Sequence, residues 1–402
     1  MIKSIEITNF YSFDSCVVQL HPETSILIGI NGSGKSNFLK AVKLLKEGVA
    51  GVGLRKHILD NLGGIDNFLF KGNSKDSNAQ TSTIRYTFEG PSISKEGNGF
   101  NFTDDIIYEI NVVKSSSLSN FYVEENIRNS KGFIYLTFEN GKGYLNERVK
   151  ENSSKTSLIK YDGFDSQELA LKEINDPDRY YALTALKKAI RDIVVYDYFD
   201  TTPKSAIRKP VLPTSEKRLA SDGANLPQML NTIKINNKPY YRKITDMLNE
   251  VNSNFTGFDF NFIGGNIELM IEENKLDSAV HVSNISDGTL RYLCLLSILY
   301  NPDRGRFICI DEPEVGLHPD MISSIADAVK EASESSTIVI STHSESLLNY
   351  FEIENVLVFE KDEGNATVVN TYTKEVFEGW YEDFALGHMW KQGDLGGVRY
   401  GS

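Results

Sequence analysis

Cysteine, long apolar runs and positive charge are all scarce in this sequence. The 402 residues include only three cysteines, Cys16, Cys294 and Cys309, which lie far apart. Cys294 and Cys309 fall within apolar runs, so we expect buried thiols in a reducing compartment. The longest apolar run, Tyr292–Tyr300, is too short to span a membrane. The first residues lack a signal-peptide core, and we expect a cytoplasmic protein that makes no membrane contact.

Acidic residues outnumber basic ones by 55 to 42, which gives a formal net charge of −13. Repulsion between like charges argues against a generally basic nucleic-acid surface, although a local basic groove stays compatible with this composition. The sequence also lacks internal repeats and any heptad run long enough for a coiled coil. A chain of this length can bury one large core or two modest ones.

The stretch Ser25–Lys40 organises the chain, because it predicts a strand, a glycine-rich loop and a helix that begins near Lys35. We expect this helix to end before Gly48. Its central residues, GINGSGKS from Gly29 to Ser36, fit G-x-x-x-x-G-K-[ST] at every fixed position. Such glycines let backbone N–H groups point at phosphate, the lysine adds a positive charge for the β- and γ-phosphates, and the serine hydroxyl binds Mg²⁺. An accidental Gly/Ser turn is the alternative, and the flanking strand and helix disfavour it.

A second motif follows the apolar run Arg306–Ile310, where Asp311 and Glu312 precede a proline. An all-apolar strand fits a parallel sheet covered on both faces, and such sheets bind ligands at the carboxyl ends of their strands. We therefore expect Asp311 to hold Mg²⁺ and Glu312 to polarise the attacking water. Two solvated acids at the end of a strand are the alternative.

Two further motifs place polar residues beside the same predicted sheet. His343 follows the β-rich run Ser336–Ile340, where it could bind the γ-phosphate or the attacking water. Ser286 and Gly288 precede an apolar helix, with the serine as a good N-cap and the glycine allowing close backbone approach. A second phosphate site of this kind suggests composite sites shared by two chains. A structural histidine and an ordinary N-cap are the alternatives.

The middle of the chain carries no motif that we can assign. Residues 81–145 alternate in a way that predicts an antiparallel meander, and residues 146–254 predict a mostly helical insertion. Residues 1–145 and 255–402 are then two sequence halves of one domain. A proline-containing basic stretch predicts an exposed loop, which either contacts nucleic-acid phosphate or an acidic partner or is simply solvated; its cations are Lys204, Arg208, Lys209, Lys217 and Arg218.

Taken in order, GINGSGKS, ISDGTLR, FICIDEPEVGLHP and STHS resemble the motifs of the ABC-type ATPases of the RecF, SMC and OLD group. In that family these are the Walker A loop, the signature motif, Walker B with its D-loop, and the switch histidine. The resemblance implies an α/β P-loop NTPase fold of ABC type. Such a fold has a mostly parallel sheet, an antiparallel β subdomain and a helical insertion.

The resemblance also implies ATP and Mg²⁺ as cofactors and a head-to-tail homodimer, or a higher oligomer, that closes on ATP. Glu312 and His343 would be catalytic, and Ser36 and Asp311 would hold the metal. Ser286 and Gly288 would reach the partner chain's γ-phosphate. The nucleotide would bind the Walker A residues Gly29, Asn31, Gly32, Ser33, Gly34, Lys35, Ser36 and Asn37.

The sequence departs from the family pattern at several points. The signature reads ISDG where transporters have LSGG, and the family's Q-loop glutamine has only Gln80 as a nearby candidate. OLD-type nucleases continue into a Toprim domain, whereas this chain ends soon after His343. Its ending resembles the stand-alone ATPases of bacterial defence operons, in which a separate effector, often a nuclease, supplies the damage.

These features predict an ATP-hydrolysing enzyme that controls a separate effector protein, with a nuclease as one candidate, in anti-phage defence. Nucleic acid is a further candidate partner. The alternatives are a DNA-repair ATPase that acts on DNA ends or gaps, a nucleotide-dependent scaffold with little turnover, and a stand-alone nuclease.

Overall fold

The computed structural model describes residues 1–72, 80–94, 102–115, 120–147, 157–377 and 385–396. Its strands, in chain order, are β1 (Ile2–Phe10), β2 (Phe13–Gln19), β3 (Thr24–Ile28), β4 (Thr81–Phe88), β5 (Ile106–Lys114), β6 (Phe121–Asn129), β7 (Ile134–Glu139), β8 (Lys142–Glu147), β9 (Ser157–Asp162), β10 (Ile193–Tyr196), β11 (Phe255–Ile263), β12 (Asn266–Glu273), β13 (Val280–His281), β14 (Phe307–Asp311), β15 (Thr337–Ser341), β16 (Val356–Lys361) and β17 (Thr367–Thr371).

The longer described helices are α1 (Lys35–Ala50), α2 (Tyr181–Arg191), α3 (Leu226–Asn236), α4 (Lys238–Val251), α5 (Asp287–Leu299), α6 (Pro319–Ser333) and α7 (Leu386–Gln392). Short helical turns connect the main elements at Leu54–Lys56, His57–Asn61, Ile65–Phe68, Gly90–Ser94, Ala170–Glu173, Ala206–Arg208, Val282–Asn284, Glu345–Leu348, Ile353–Asn355 and Lys374–Phe377. None of the helices within the described ranges combines the length and apolar character needed to cross a bilayer.

The predicted antiparallel meander forms an eight-stranded sheet in the order β2-β1-β4-β5-β6-β7-β8-β9. Alternate residues of β4, β5 and β6 are buried, as expected for a sheet with one covered face. Helix α1 packs against this sheet, and the Tyr86 hydroxyl donates a 2.6 Å hydrogen bond to the Ala41 carbonyl. The sequence did not predict β8 and β9, which complete the sheet.

Helix α1 is also longer than predicted, since it starts at Lys35 and continues to Ala50. We expected it to end before Gly48, because glycine commonly ends helices. In the structure a Cβ at Gly48 would lie 2.7 Å from the Leu169 Cδ1 atom. The glycine therefore makes room for the packing of Leu169 and does not end the helix.

The six-stranded sheet has the order β10-β14-β15-β3-β16-β17, and only the β16–β17 pair is antiparallel. Strands β3 and β15 are buried along their whole length because apolar clusters cover both faces of the sheet. Leu27 belongs to the cluster shared with α1, while Ile26 and Ile28 belong to the cluster shared with α5 and α6. This sheet confirms the predicted mostly parallel α/β architecture, and it places the carboxyl ends of β3, β14 and β15 at one edge.

A third sheet, β11-β12-β13, lies beside α3 and α4 and turns at Gly264 and Gly265, which have φ angles of 59° and 86°. The described part of the predicted insertion, residues 146–254, holds α2, α3 and α4 but also β9 and β10. These two strands pair with the eight-stranded and six-stranded sheets respectively. The division of the chain into a head and an insertion stays a prediction.

Candidate functional site

The glycine-rich loop lies between β3 and α1 and curls tightly around its own lysine. Gly29, Gly32 and Gly34 have positive φ angles of 144°, 83° and 119°, a backbone region that favours glycine. A Cβ at Gly34 would lie 2.3 Å from Thr367 Oγ1, so β17 also requires a glycine here. The Lys35 ammonium donates hydrogen bonds to the Gly29 carbonyl at 2.7 Å and to the Ile30 carbonyl at 3.3 Å.

The charge of Lys35 is held in a largely buried position. Burial lowers the pKa of this ammonium to about 8, although the carboxylates of Glu312 and Asp311 act in the opposite direction. A desolvated cation whose hydrogen bonds go to carbonyl oxygens is well suited to bind an incoming anion. Triphosphate is the anion that this loop geometry favours.

Three oxygen-bearing side chains meet where α1 begins beside the ends of β14 and β15. The Ser36 hydroxyl lies 3.5 Å from Asp311 Oδ2, and the Ser341 hydroxyl donates a hydrogen bond to Asp311 Oδ1. Hydroxyl and carboxylate oxygens are the ligands that Mg²⁺ prefers, and it normally keeps water and phosphate oxygens as well. Because it supplies few protein oxygens, this donor set fits Mg²⁺ held together with a nucleotide.

Glu312 and His343 face each other across the same corner. The His343 Nε2 atom lies 3.4 Å from Glu312 Oε1, and both side chains are partly exposed. Glu312 has a φ of 46°, an unusual value for a residue with a side chain. Its amide donates a 3.0 Å hydrogen bond to the Ser341 carbonyl, which holds this conformation against β15. Burial, and next the positive charge of Lys35, lower the pKa of His343.

The predicted site residues at the two ends of the chain meet in one cleft of about 350 Å³. The residues that line it are Asn31, Gly32, Gly34, Lys35, Ser36, Asn37, Glu312 and His343. Ser33 lies buried beneath the loop, where its carbonyl accepts a 2.7 Å hydrogen bond from Thr367. Asn37 donates a 2.9 Å hydrogen bond to Ser12, so the turn between β1 and β2 also supports the loop.

Glu314 is a residue of this site that the sequence analysis missed. Its Oε1 atom accepts 2.7 Å hydrogen bonds from the Thr342 hydroxyl and from the His343 amide. Burial raises the pKa of this carboxyl. Its position two residues after Glu312 was the only signal in the sequence, because its partners Thr342 and His343 lie in the connection after β15.

The signature residues lie outside the cleft of their own chain. The Ser286 hydroxyl caps α5 by accepting a 3.2 Å hydrogen bond from the Thr289 amide. A Cβ at Gly288 would lie 2.8 Å from the Gly316 carbonyl oxygen, so the glycine allows α5 to approach the loop after Glu314. Neither Ser286 nor Gly288 lines the cleft that contains Lys35, Glu312 and His343.

The basic stretch is largely exposed, as predicted, but Arg208 is an exception. Arg208 is only 8% exposed and donates hydrogen bonds to the carbonyls of Thr201, Val282 and Ser283. It also pairs with Asp287, the first residue of α5, at 2.6 Å. The prediction was wrong for Arg208 because a run of charges does not reveal distant carbonyl acceptors. Lys204, Lys209 and Lys217 are exposed, while Arg218 is half-buried and pairs with Asp192.

A second arginine ties the signature helix to its surroundings. Arg291 donates a 2.9 Å hydrogen bond to the Val315 carbonyl, and its guanidinium lies 4.3 Å from the ring centre of Tyr198. It also donates to the Phe199 carbonyl at 3.3 Å. The segment after β10 is therefore attached to α5 through both arginines.

Asp197 occupies the sheet edge beside Asp311. Tyr196 of β10 is in register with Ile310 of β14, so the next residues along the two strands, Asp197 and Asp311, lie at the same level. Asp197 forms an ion pair with Lys43 of α1. Gln80 lies elsewhere, immediately before β4 in the antiparallel sheet. The short apolar run that precedes it, Ile193–Tyr196, was the signal in the sequence that could have pointed to Asp197.

Comparisons with known proteins agree with this geometry. A family profile described as "AAA domain, putative AbiEii toxin, Type IV TA system" matches residues 25–349. The Old nuclease of Escherichia phage P2 is 25% identical over 414 residues, which cover 95% of this chain and 62% of the nuclease. The chain thus spans under two thirds of the length of that relative.

Solved structures of SMC heads share the fold. A head bound to the C-winged helix domain of ScpA has a TM-score of 0.60 at 13% identity and covers 94% of this chain and 99% of its own. A second structure is a head with an extended coiled coil, bound to the C-terminal domain of ScpA derived from Pyrococcus furiosus. It matches with a TM-score of 0.58 at 12% identity, and the match covers 95% of this chain and 98% of that chain. At such identities the likeness concerns the fold alone.

Proposed function

Because the chain belongs to the family described as "AAA domain, putative AbiEii toxin, Type IV TA system", we propose that it is an ABC-type ATPase that binds and hydrolyses ATP. The observation that carries this proposal is the convergence of four side chains on one cleft at the carboxyl edge of a parallel sheet: Lys35, Ser36, Glu312 and His343. Asp311 lies beside this cleft, 3.5 Å from the Ser36 hydroxyl. Phosphoryl transfer is catalysed mainly by positioning and charge stabilisation, and this cleft offers both.

Each residue has a distinct role in the proposed reaction. Lys35 and the loop amides would bind the β- and γ-phosphates. Ser36 and Asp311 would hold Mg²⁺, which would neutralise phosphate charge when bound. Glu312 orients the attacking water and accepts its proton. His343, which is held next to Glu312, stabilises the γ-phosphate.

We further propose that two chains close head to tail on two ATP molecules. Ser286 and Gly288 lie at the N-terminus of α5 and outside their own cleft, which leaves them available to a nucleotide bound by the partner. Closure would control a separate effector, with a nuclease as the leading candidate, in cytoplasmic anti-phage defence. Two findings support control of a damaging effector. The family description includes the word toxin, and the chain is similar to a nuclease of a phage.

The experiment compares the wild-type protein with Lys35→Ala and Glu312→Gln. Lys35→Ala should lose ATP binding, because the loop then lacks its phosphate charge. Glu312→Gln should bind ATP normally and hydrolyse it about 10²- to 10⁴-fold more slowly, as expected for loss of a general base. Titration of a fluorescent ATP analogue measures binding, and phosphate release measures turnover.

Unchanged turnover in Glu312→Gln would move the catalytic role away from this carboxylate, with His343 next to be tested. Tight ATP binding without phosphate release in the wild-type protein would favour a nucleotide-dependent scaffold. Turnover that rises when DNA is added would favour the DNA-repair alternative.

A further inference from the structure

We propose that Thr367 is a positioning residue for nucleotide binding, because its hydroxyl sets the orientation of the phosphate loop. This inference rests on the proposed function, since it concerns how the same loop holds phosphate. Thr367 is fully buried at the start of β17, far from the loop in sequence. Its Oγ1 atom lies 2.7 Å from the Ser33 carbonyl oxygen and 2.8 Å from Ser12 Oγ.

These contacts form a chain of hydrogen bonds that runs in one direction. A hydroxyl has one proton and a carbonyl oxygen can only accept, so Thr367 donates to the Ser33 carbonyl. The Ser12 hydroxyl then donates to Thr367, and it accepts a 2.9 Å hydrogen bond from the Asn37 side chain. Side chains from three separate elements thus support one backbone carbonyl of the loop.

The Ser33 carbonyl and the Gly34 amide belong to the same peptide unit. In a trans peptide these two groups point to opposite sides, so holding the carbonyl against β17 directs the amide the other way. Gly34 lines the nucleotide cleft, and its amide has no acceptor within the described part of the chain. The amide is therefore available to a phosphate oxygen of the nucleotide.

The loop needs this support because its own residues do not supply it. Gly34 has a φ of 119° and lacks the Cβ that limits rotation of a neighbouring peptide unit. If the unit turned over, the Ser33 carbonyl oxygen would face the phosphates and its partial negative charge would repel them. The buried Ser33 hydroxyl has no hydrogen-bond partner among the described residues, so it does not hold the unit in place.

The Thr367 hydroxyl is presented from backbone that is itself fixed against the loop. The Thr367 amide donates a 2.7 Å hydrogen bond to the Ser12 carbonyl. A Cβ at Gly34 would lie 2.8 Å from Thr367 Cγ2, and a Cβ at Gly29 would lie 2.2 Å from the Phe359 carbonyl oxygen of β16. The strand pair β16–β17 therefore packs against both ends of the loop, which leaves the hydroxyl little freedom to move away.

The test compares Thr367→Ala with Thr367→Ser, because these two variants differ from each other only in the hydroxyl. Titration with fluorescent ATP and ADP analogues should show about tenfold weaker binding by Thr367→Ala, and binding within about twofold of wild type by Thr367→Ser. Both nucleotides carry the phosphates that such loop amides bind, so both should be affected alike. In steady-state phosphate release, the KM of Thr367→Ala should rise by the same factor, with kcat within about twofold of wild type.

This division separates positioning from a loss of folded protein. A variant that is merely less stable loses active molecules, which lowers the apparent kcat and leaves KM unchanged. The matched control is Thr371→Ala, at the exposed end of the same strand, and it should bind both nucleotides as the wild-type protein does. Thermal unfolding of each variant checks that it is folded.

A second measurement examines the loop without nucleotide. Hydrogen exchange of residues 29–38, followed by mass spectrometry, should be faster in Thr367→Ala than in the wild-type protein and in Thr367→Ser. The inference is overturned if the alanine and serine variants bind nucleotide equally well, if Thr371→Ala loses as much affinity, or if the loop exchanges at the same rate in all four proteins. Failure of the proposed function is distinguishable, because the wild-type protein would then bind neither nucleotide while the exchange measurement still tests the role of Thr367.

Discussion

The backbone amide of His343 donates a 2.7 Å hydrogen bond to the carboxylate of Glu314. The same carboxylate oxygen accepts a hydrogen bond from the Thr342 hydroxyl, so one partly buried side chain fixes the loop that carries the histidine. Glu312 lies two residues before Glu314 in the same connection. The two groups that we place around the γ-phosphate therefore have a common support.

Replacing Glu314 should impair hydrolysis and leave ATP binding intact. Glu314→Ala leaves the Thr342 and His343 donors without their acceptor. We expect kcat to fall about tenfold or more, as is typical when a residue that orients catalytic groups without contacting substrate is removed. Glu314→Gln keeps one acceptor oxygen and should retain most of the activity. Steady-state kinetics measures hydrolysis, and titration with ATP measures binding. Equal kcat values for the wild-type protein, Glu314→Ala and Glu314→Gln would contradict a positioning role for Glu314.

Changing the signature serine should block assembly without blocking nucleotide binding. Ser286→Arg places a bulky cation at the N-terminus of α5, where the partner's γ-phosphate would bind. Both proteins carry Glu312→Gln, which slows hydrolysis. With ATP, light scattering should show dimers when Ser286 is intact and monomers when Ser286→Arg is added. If the Glu312→Gln protein with Ser286 intact stays monomeric in the presence of ATP, the composite site is contradicted.

Removing the buried arginine should destabilise the signature loop. Arg208→Met breaks the hydrogen bonds to three carbonyls and the ion pair with Asp287, and we expect the free energy of unfolding to fall by about 2–4 kcal/mol. Lys209→Met, at the exposed neighbouring position, should change it by less than about 0.5 kcal/mol. Urea unfolding measures both, and equal stabilities would show that the Arg208 contacts contribute nothing.

Nucleotide binding should take up a proton at alkaline pH. The pKa of Lys35 is about 8 because of burial, so the ammonium is already protonated at pH 6.5 and partly neutral at pH 8.5. A bound triphosphate favours the charged form, which means that uptake occurs only near and above pH 8. Calorimetry at pH 8.5 in buffers of different ionisation enthalpy should detect it. No uptake at pH 8.5 would place the pKa of free Lys35 higher.

A second pH effect concerns stability far from the cleft. Burial raises the pKa of Glu125 to about 7, although it accepts hydrogen bonds from Tyr108 and from the Ala170 amide. The folded state therefore holds this proton where the unfolded chain has lost it. The stabilisation is complete below about pH 4.5 and is lost as the pH rises towards 7, a difference of about 3 kcal/mol.

Denaturant unfolding between pH 4.5 and 8 should thus show a decline in the wild-type protein that is absent from Glu125→Gln. The glutamine variant has no proton to lose, so it serves as the reference for every other titrating group. Parallel pH profiles for the two proteins would show that Glu125 is ionised in the folded state.

Local sequence signals were sufficient where function depends on contiguous residues. The loop from Gly29 to Ser36 and the pair Asp311–Glu312 were found because each is a short pattern at the end of an apolar strand. Their meeting in one cleft followed from the rule that parallel strands end at the same sheet edge. The family of the chain and its fold class were predictable for the same reason.

The remaining features depend on partners that are distant in sequence. Arg208 binds carbonyls of residues 282 and 283, and carbonyl acceptors leave no trace in side-chain chemistry. Glu314 acts on a loop beyond the next helix, and Asp197 is placed beside Asp311 only by strand register.

The order of the six-stranded sheet has a consequence for how the protein is made. The strand that carries the phosphate loop, β3, is flanked on one side by β15 and on the other by β16. Both neighbours are encoded beyond residue 336, so they leave the ribosome long after the loop itself. At about 5–20 residues per second, that delay is tens of seconds. Throughout that delay, the nascent chain carries the whole phosphate-loop sequence without the two strands that flank β3. We therefore expect an unfinished chain to bind ATP more weakly than a finished one.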